Sequence, residues 1–450
     1  MLVFAAVYVP AAGHGLIQDD YSWILRSRVR SAAEFLALFT SDNGFYRPVV
    51  SVTFAINEWM FGAHPYGYGL TNVLLAVACA WAIGSLARAL GLARGAAILA
   101  GAIWLLNFHG IRMAVLWVSG RTALVLTLAA ALSAAAFVRG RAVPALLFLA
   151  IALFAKEEAV LLPLILLAWG WLLTKRGDAD TPRSEPVTGI AAVVWIVGAG
   201  VVAAAYLGAR SLTHAMTPLS APAFYKPTFD LATLGSNLVS YADRALTWPL
   251  VVCLLAAAML ARPRLSLDRS ARRTIACGFV WLCGGFALTA FLPVRSDLYA
   301  CFPSVGASLA AAAVCGRSWQ MAAAPRRHRA LVAAIVVSIA AGIVHHVRTG
   351  RWVGLAEFAS STLADLETET RALPDGAIVV IRDDRTARVN LGAAFGTLMN
   401  DAYMLSTGHR MQIWIDPPPV NADLAGLTPP CPTCADLRLA VADGRLRRER

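Results

Sequence analysis

The stretch Gln18-Asp19-Asp20-Tyr21 marks the point at which an apolar segment, residues 1–17, gives way to a polar one. A helix needs about 20 apolar residues to cross the hydrocarbon core of a bilayer, with a range of about 17 to 25. Residues 1–17 therefore barely qualify as a first transmembrane span. If they cross the membrane, Asp19 and Asp20 lie at its surface, and the rest of the chain decides which side that is.

The composition is that of a polytopic membrane protein. Of the 450 residues, 58% are hydrophobic and 15% are charged, whereas an average soluble domain has about 25% charged residues. A net charge of +12 would suggest nucleic acid for a soluble protein. Here the basic residues fall in alternate loops between apolar runs, so we expect the lipid bilayer as a partner and no nucleic acid.

Apolar runs predict about eleven transmembrane helices: residues 1–17, 66–90, 95–113, 121–138, 142–155, 159–174, 187–209, 242–261, 274–292, 298–315 and 330–346. Residues 22–39 alternate apolar clusters with arginines and predict an amphipathic helix in the membrane interface. Residues 48–61 predict a second one, because Asn57 and Glu58 would be costly in the middle of a bilayer. The predicted fold is an all-α polytopic membrane bundle with interfacial helices in a first outer loop, residues 18–65.

The tail, residues 348–450, differs from this transmembrane domain, residues 1–347. Residues 358–373 and 391–405 predict helices, and residues 377–381 and 412–415 predict strands, which together indicate a small α/β domain. The tail also contains Cys431-Pro-Thr-Cys434, which suggests a metal or redox site in a reducing compartment and a local disulfide in an oxidising one. A single CxxC lacks the second pair of a closed zinc site, so Cys431 and Cys434 are a disulfide candidate or unbonded.

The positions of the basic residues predict the topology. Arg88 and Arg94 share one loop, Arg139 and Arg141 another, and further basic loops follow at residues 175–183, 262–273 and 317–329. The positive-inside rule places these loops in the cytoplasm. Asp19, Asp20 and the tail then face outward. We expect a multi-pass protein of a bacterial inner (plasma) membrane whose active site and C-terminal domain are extracytoplasmic.

The outward ends of the spans hold many polar groups. They are Asp19, Asp20, Arg47, His109, Arg112, Arg121, Lys156, Glu157, Glu158, Arg295 and Asp297. Ionisable residues at membrane depth are functional candidates by default, because leaving them unpaired is costly. Carboxylates together with clustered bases at one bilayer face indicate an anionic lipid substrate.

Each of these groups also has a structural interpretation. The aspartates could cap the following helix, His109 and Arg112 could cap the third span, and Arg121 could extend to the interface. Residues 156–158 could form an exposed charged turn, and Arg295 with Asp297 a surface pair of little energetic weight. In the functional interpretation, an aspartate deprotonates an acceptor hydroxyl. Lys156, oriented by Glu157, and Arg121 then bind a phosphate.

Short motifs in order along the first ten spans resemble the multi-spanning C-type glycosyltransferases, in particular the protein O-mannosyltransferase-like and TMTC-like branch. They are Asp19-Asp20; Tyr46-Arg47-Pro48 with Asn57; His64-Pro65 with Asn72; Asn107-Phe108-His109; Trp117-Val118-Ser119-Gly120-Arg121; Lys156-Glu157 before Leu162-Pro163; and Tyr299 with Phe302-Pro303-Ser304-Val305-Gly306. The chain departs from the family pattern at Gly69, where His is common, and at Asp297-Leu298, where Glu-Arg is common. The second departure suggests that Arg295 takes over the last phosphate contact.

The resemblance implies an integral-membrane enzyme that moves a sugar from a polyprenyl-phosphate carrier to an acceptor hydroxyl of a protein, lipid or glycan, usually with inversion. It implies Asp19 as the base, with Asp20 as its helper or as a ligand of a divalent metal. No obligatory cofactor is expected. The residues implied in substrate binding are Arg47, His109, Arg112, Arg121, Lys156, Glu157, Arg295, Asp297 and Tyr299. Two alternatives stay open: a transporter or flippase of a lipid-linked saccharide, and a non-catalytic membrane scaffold.

Overall fold

A computed structural model describes residues 1–40, 44–174, 189–213, 215, 221–260, 266–384, 387, 389–419 and 434–449. The described chain is mostly helical, with one small sheet near its C-terminus. The α-helices are α1 (Leu2–Ala11), α2 (Asp20–Arg26), α3 (Ala32–Ala37), α4 (Pro48–Phe61), α5 (Pro65–Ala89), α6 (Arg94–Leu105), α7 (Gly110–Leu116), α8 (Arg121–Val138), α9 (Ala142–Ala155), α10 (Leu162–Thr174), α11 (Gly189–Leu212), α12 (Leu231–Leu260), α13 (Arg269–Phe286), α14 (Ser304–Met321), α15 (Ala324–Thr370), α16 (Leu391–Phe395) and α17 (Met399–Thr407). The strands are β1 (Ile378–Arg382), β2 (Gln412–Asp416), β3 (Leu437–Ala442) and β4 (Arg445–Arg448).

Every predicted span coincides with at least one helix, but the count of eleven crossings is not confirmed. Among the described residues, six helical segments are long and apolar enough to cross a membrane. A seventh is reached if α6 and α7, which are bent by 68° at their junction, are counted as one broken span. Helices α1 and α9 are apolar but shorter than a full crossing needs. The chain is a multi-pass membrane protein.

Small residues let the helices of the bundle pack closely. A Cβ on Gly101 of α6 would lie 2.3 Å from the carbonyl oxygen of Ala80 of α5. Between α13 and α14, a Cβ on Gly278 would lie 2.4 Å from the carbonyl oxygen of Gly306. Close backbone contact of this kind stabilises helix pairs in lipid, where burial of apolar surface contributes little.

One helix joins the bundle to the tail. Helix α15 has 47 residues and is therefore about 70 Å long. It contains both the predicted span at residues 330–346 and most of the predicted helix at residues 358–373. The predicted domain boundary at residue 347 thus falls inside a continuous helix.

The tail domain (β1–β4, α16 and α17) has a mixed sheet of order β2-β1-β3-β4. Strand β1 pairs in parallel with β2 and β3, and β3 pairs antiparallel with β4. The first two strands were predicted from the sequence, whereas β3 and β4 were not. The predicted helix at residues 391–405 is two helices, because Gly396 adopts a φ of 54° between them.

The first outer loop carries three helices. The interfacial helix predicted at residues 22–39 is instead the two short helices α2 and α3, whereas the helix predicted at residues 48–61 is α4 with the same bounds. Apolar residues of this loop and of the tail domain belong to one buried cluster, in which the rings of Tyr21 and Phe395 stack 5.8 Å apart. The tail domain therefore packs directly on the segment that contains the two aspartates.

Candidate active site

Asp20 is a structural carboxylate. It is fully buried, and its oxygens accept the N–H groups of Ile17 at 3.1 Å and of Ser119 at 2.7 Å. These bonds tie the first outer loop to the 3₁₀ turn Val118–Gly120, which precedes α8. Burial raises the pKa of Asp20 to about 7, against the opposing effect of the two N–H donors.

Asp19 has a different environment. It is half-buried, and its carboxylate makes no hydrogen bond or ion pair with another residue of the described part of the chain. It lines a cavity of about 460 Å³ together with Gln18 of the same loop and Asp383, Asn390 and Thr397 of the tail domain. Burial raises its pKa above the ordinary value, although the charge of Arg47 acts in the other direction. A carboxylate of this kind is suited to accept a proton.

Gln18 holds the segment before Asp19 against the tail domain. Its N–H donates to the carbonyl oxygen of Ala394, and its Nε2 donates to that of Ala393, both at 2.8 Å. Gln18 has a φ of 47°, in the left-handed region that residues other than glycine seldom adopt. Strained conformations persist where their surroundings impose them, and they cluster at functional sites.

Arg47 and Glu157, 110 positions apart in sequence, form a bidentate ion pair. Arg47 Nε lies 3.0 Å from Glu157 Oε2, and Arg47 Nη2 lies 2.6 Å from Oε1. The guanidinium also stacks over the ring of Phe45, 4.1 Å from its centroid. The structure thus joins two predicted site residues to each other, and Glu157 orients Arg47 where the sequence suggested that it orients Lys156.

Lys156 pairs with its near neighbour Glu158. Lys156 Nζ and Glu158 Oε1 are 2.5 Å apart with both side chains buried, so the two form a close ion pair. The ammonium also lies 5.2 Å from the centre of the Tyr299 ring. Tyr299, a predicted substrate contact, therefore borders the same group of charges.

Tyr225 belongs to this site and was not predicted. It lies in the outer loop between α11 and α12, where its ring meets that of Phe45 edge to face at 5.5 Å. Burial raises its pKa; Arg47 lowers it, and Asp19 and Glu157 raise it further, so Tyr225 lies within electrostatic reach of all three. An aromatic residue in an outward loop was the only sequence signal for it.

Asp297 does not form the surface pair with Arg295 that the structural interpretation offered. Its Oδ1 accepts from Arg244 Nε at 2.7 Å, and its Oδ2 lies 3.4 Å from Arg112 Nη2. Arg295 instead donates to Asn237 Oδ1 at 2.7 Å. Arg244 was missed by the sequence interpretation, although an ionisable residue inside an apolar span is itself a functional signal.

We call Arg112, Arg244, Arg295 and Arg348 the arginine cluster; Arg112 and Arg244 contact Asp297 directly. Arg112 Nη1 donates to the Arg348 carbonyl at 3.3 Å, and Arg348 stacks over Phe108 at 4.8 Å. His109 Nε2, another predicted contact, lies 3.8 Å from Asp243 Oδ2. Arg112 and Arg244 share the single carboxylate of Asp297, and Arg295 and Arg348 have no carboxylate partner among the described residues, whereas Arg47 and Lys156 each have a carboxylate of their own. The cationic surplus therefore lies at the arginine cluster.

The short turn Asp297–Ala300 links the two groups of charges. Asp297 at its start binds the arginine cluster, and Tyr299 contacts Lys156 two residues later. Tyr241 of α12 also lies within electrostatic reach of Arg244, Arg295 and Glu158. The two groups therefore form one polar region at a single end of the bundle, here called the outer end.

Arg121 lies apart from this region. Its side chain is fully buried and donates to Asn72 Oδ1 and to the carbonyl oxygens of Thr53 and Tyr68 at 2.9 to 3.2 Å. It also stacks over Phe54 at 4.4 Å. These contacts join α4, α5 and α8, so we leave Arg121 out of the phosphate contacts that the sequence suggested.

Each oxygen of Asp20 accepts one backbone N–H group, and a divalent metal at Asp19 and Asp20 stays a prediction. Across the described ranges, no three His, Cys, Asp or Glu side chains come together as a metal-ligand set. The disulfide candidate Cys431–Cys434 cannot be placed, since Cys431 lies outside the described residues.

No protein-family model matches this chain, and no curated protein matches it by sequence. Among solved structures, it is similar to ArnT from Cupriavidus metallidurans, whose crystal structure holds undecaprenyl phosphate. The match has a TM-score of 0.52 and 13% sequence identity, and it covers 92% of this chain and 84% of ArnT. At that identity it shows a shared fold, which supports the predicted fold of the C-type glycosyltransferases. The O-mannosyltransferase-like branch stays a prediction.

Proposed function

We propose that this protein is an integral-membrane glycosyltransferase. It takes a sugar from a polyprenyl-phosphate carrier and transfers it, with inversion, to an acceptor hydroxyl at the extracytoplasmic face of a bacterial inner membrane. The observation that carries the proposal is the Asp19 carboxylate, which has no partner among the described residues and lies on the wall of a cavity between bundle and tail domain. The undecaprenyl phosphate held by ArnT, which has the same fold, supports the choice of carrier.

Asp19 is the base in this reaction. An Asp19 oxygen takes the proton from the acceptor hydroxyl while the hydroxyl oxygen attacks the anomeric carbon of the sugar. The bond from that carbon to the carrier oxygen breaks, and the carrier leaves as a phosphate. A positioned base of this kind contributes about 10²- to 10⁴-fold to the rate. Asp20 acts on Asp19 only through the backbone that it holds in place.

The leaving phosphate is stabilised by cations. The arginine cluster carries the surplus positive charge, and the turn Asp297–Ala300 connects it to Lys156 and Tyr299. We place the carrier phosphate between Arg244 and Arg295 on one side and Lys156 on the other. Arg47, already paired with Glu157, contributes a fixed positive charge near Asp19. Cations aimed at the developing negative charge lower the barrier to transfer.

The acceptor enters through the cavity that Asp19 shares with the tail domain. Asp383 closes that cavity from the tail side, where its oxygens accept the N–H groups of Leu391 at 3.1 Å and Gly392 at 3.3 Å. Filling the cavity with Thr397→Trp should therefore slow transfer to the acceptor and leave carrier binding unchanged. Normal transfer by this variant would show that the acceptor does not enter through this cavity.

The direct test is sugar transfer in proteoliposomes supplied with a polyprenyl-phosphate sugar and an acceptor extract. Asp19→Asn should lose at least 100-fold of the rate, while Asp443→Asn, an exposed aspartate in the β3–β4 turn, should keep it. Full transfer by Asp19→Asn would refute the assignment of the base. Movement of the lipid-linked sugar across the bilayer without a new glycosidic bond would favour the flippase alternative.

A further inference from the structure

A groove lies between α5 and α6 at the end of the bundle opposite to Asp19. It encloses about 550 Å³, and its walls come from α5, α6, Met1 and the residue that follows α8. Asn72, near the start of α5, accepts a hydrogen bond from Arg121 at the outer end. Arg88, at the mouth of the groove, is 16 positions further along the same helix, about 24 Å away. The groove is thus separate from the candidate active site.

The walls of the groove are apolar and open to the surrounding lipid. Trp81 of α5 and Ile98 of α6 flank it with exposed fractions of 66% and 64%. Its floor is formed by small residues, because α5 and α6 approach closely at Gly84 and Gly101. A channel of this shape and chemistry suits a hydrocarbon chain.

Three arginines surround one end of this channel. Arg88 lies in the last turn of α5, Arg94 begins α6 and Arg139 follows α8, so three separate helices bring them to one cavity. Arg139 Nη2 is fixed by Ser85, donating to its carbonyl and hydroxyl oxygens at 2.9 Å, and Arg88 Nη1 donates to the Leu92 carbonyl at 2.7 Å. Over the described ranges, none of the three pairs with a carboxylate.

We propose that this groove binds an anionic diacyl phospholipid of the leaflet opposite to Asp19. The phosphate contacts Arg88, Arg94 and Arg139, and one acyl chain lies between Trp81 and Ile98. Isolated arginines at helix ends extend to the interface without a specific ligand. Three that converge beside an apolar channel, with no carboxylate partner in the described part of the chain, form a basic pocket between helices of the type that binds lipid head groups.

Native mass spectrometry of the detergent-purified protein tests the proposal. The wild type should retain one phosphatidylglycerol in preference to phosphatidylcholine when both are added in equal amounts. Each arginine near an anionic lipid contributes on the order of fivefold in binding, so the triple variant R88Q/R94Q/R139Q should lose on the order of 100-fold. The control R272Q/R329Q removes two exposed arginines from the same end, neither of which lines the groove, and should retain the lipid.

If the triple variant does not fold, a variant with one substitution tests the same proposal. The Arg94 side chain makes no hydrogen bond or ion pair within the described chain, so Arg94→Gln should fold and lose on the order of fivefold in lipid binding. Equal retention of phosphatidylcholine, or equal loss in the control variant, would overturn the proposal. Binding of inorganic phosphate as tight as that of phosphatidylglycerol would also overturn the proposal, because the groove would then be a site for a free anion.

Discussion

Substitutions of Asp20 and of its neighbour Asp19 should have different effects on folding stability, and this difference distinguishes the roles of the two carboxylates. Its oxygens accept the buried N–H groups of Ile17 at 3.1 Å and Ser119 at 2.7 Å. A buried donor left without an acceptor costs about 1–3 kcal/mol, so Asp20→Ala should lose about 2–6 kcal/mol of folding stability. That is a large part of the about 5–15 kcal/mol that holds a typical protein folded.

Asp20→Asn should lie between the wild type and the alanine variant. The amide keeps one oxygen for one N–H group and turns its own N–H₂ toward the other, so the expected loss is about 1–3 kcal/mol. Asp19→Asn removes no bond to another described residue and should change stability by less than about 0.5 kcal/mol. We therefore expect Asp19→Asn to be the most stable of the three variants, Asp20→Asn to be intermediate and Asp20→Ala to be the least stable.

Thermal unfolding in detergent, followed by the emission of buried tryptophans such as Trp104 and Trp281, gives this order. Sugar transfer is measured on the same preparations. Asp19→Asn should unfold like the wild type and fail to transfer, whereas Asp20→Asn should unfold earlier and transfer in proportion to its folded fraction. A stable Asp20→Asn that has lost transfer, beside an active Asp19→Asn, would reverse the two assignments.

Three further predictions follow from the same contacts. In a double-mutant cycle, Arg47→Ala and Glu157→Gln should show a coupling energy of about 1–3 kcal/mol in transfer or stability. If the effects of the two single substitutions simply add, the ion pair contributes nothing. Arg244→Gln should weaken carrier binding more than Lys156→Gln does, because Arg244 belongs to the cationic surplus; an equal effect on carrier titrations would contradict that. Burial raises the pKa of Asp19, so its basic form is lost on acidification at a higher pH than that of an exposed aspartate. The rate of transfer should rise with pH through the pKa of Asp19. A pH profile with its midpoint near the ordinary aspartate pKa of about 4 would contradict this prediction.

Much of the architecture was predictable because lipid imposes simple rules on a chain. A segment in a bilayer must satisfy its backbone hydrogen bonds internally, so apolar runs become helices, and every predicted span coincides with at least one. Helix α4 begins at Pro48, which favours the first turn of a helix. The number of crossings was not predictable in the same way, since the bend between α6 and α7 and the shortness of α1 depend on packing.

The candidate site was predictable as a set of residues but not as a set of pairs. Arg47, Glu157 and Asp297 are candidates because each is ionisable and close to an apolar segment, where burying an unpaired charge costs free energy. Arg47 pairs with Glu157 across 110 positions of the chain, and Asp297 pairs with Arg244 across 53 positions. Spacing along the chain carries no information about such contacts.

The sequence by itself determined that this is a helical membrane protein with a small α/β tail and a polar outer end. Hydrophobic length and charge placement are local properties, and they suffice for those conclusions. Only the tertiary structure decided which of Asp19 and Asp20 lines a cavity, because neighbouring side chains on one turn differ in what distant segments place against them. Ser119 and Ile17 close around Asp20, while the tail domain leaves space beside Asp19.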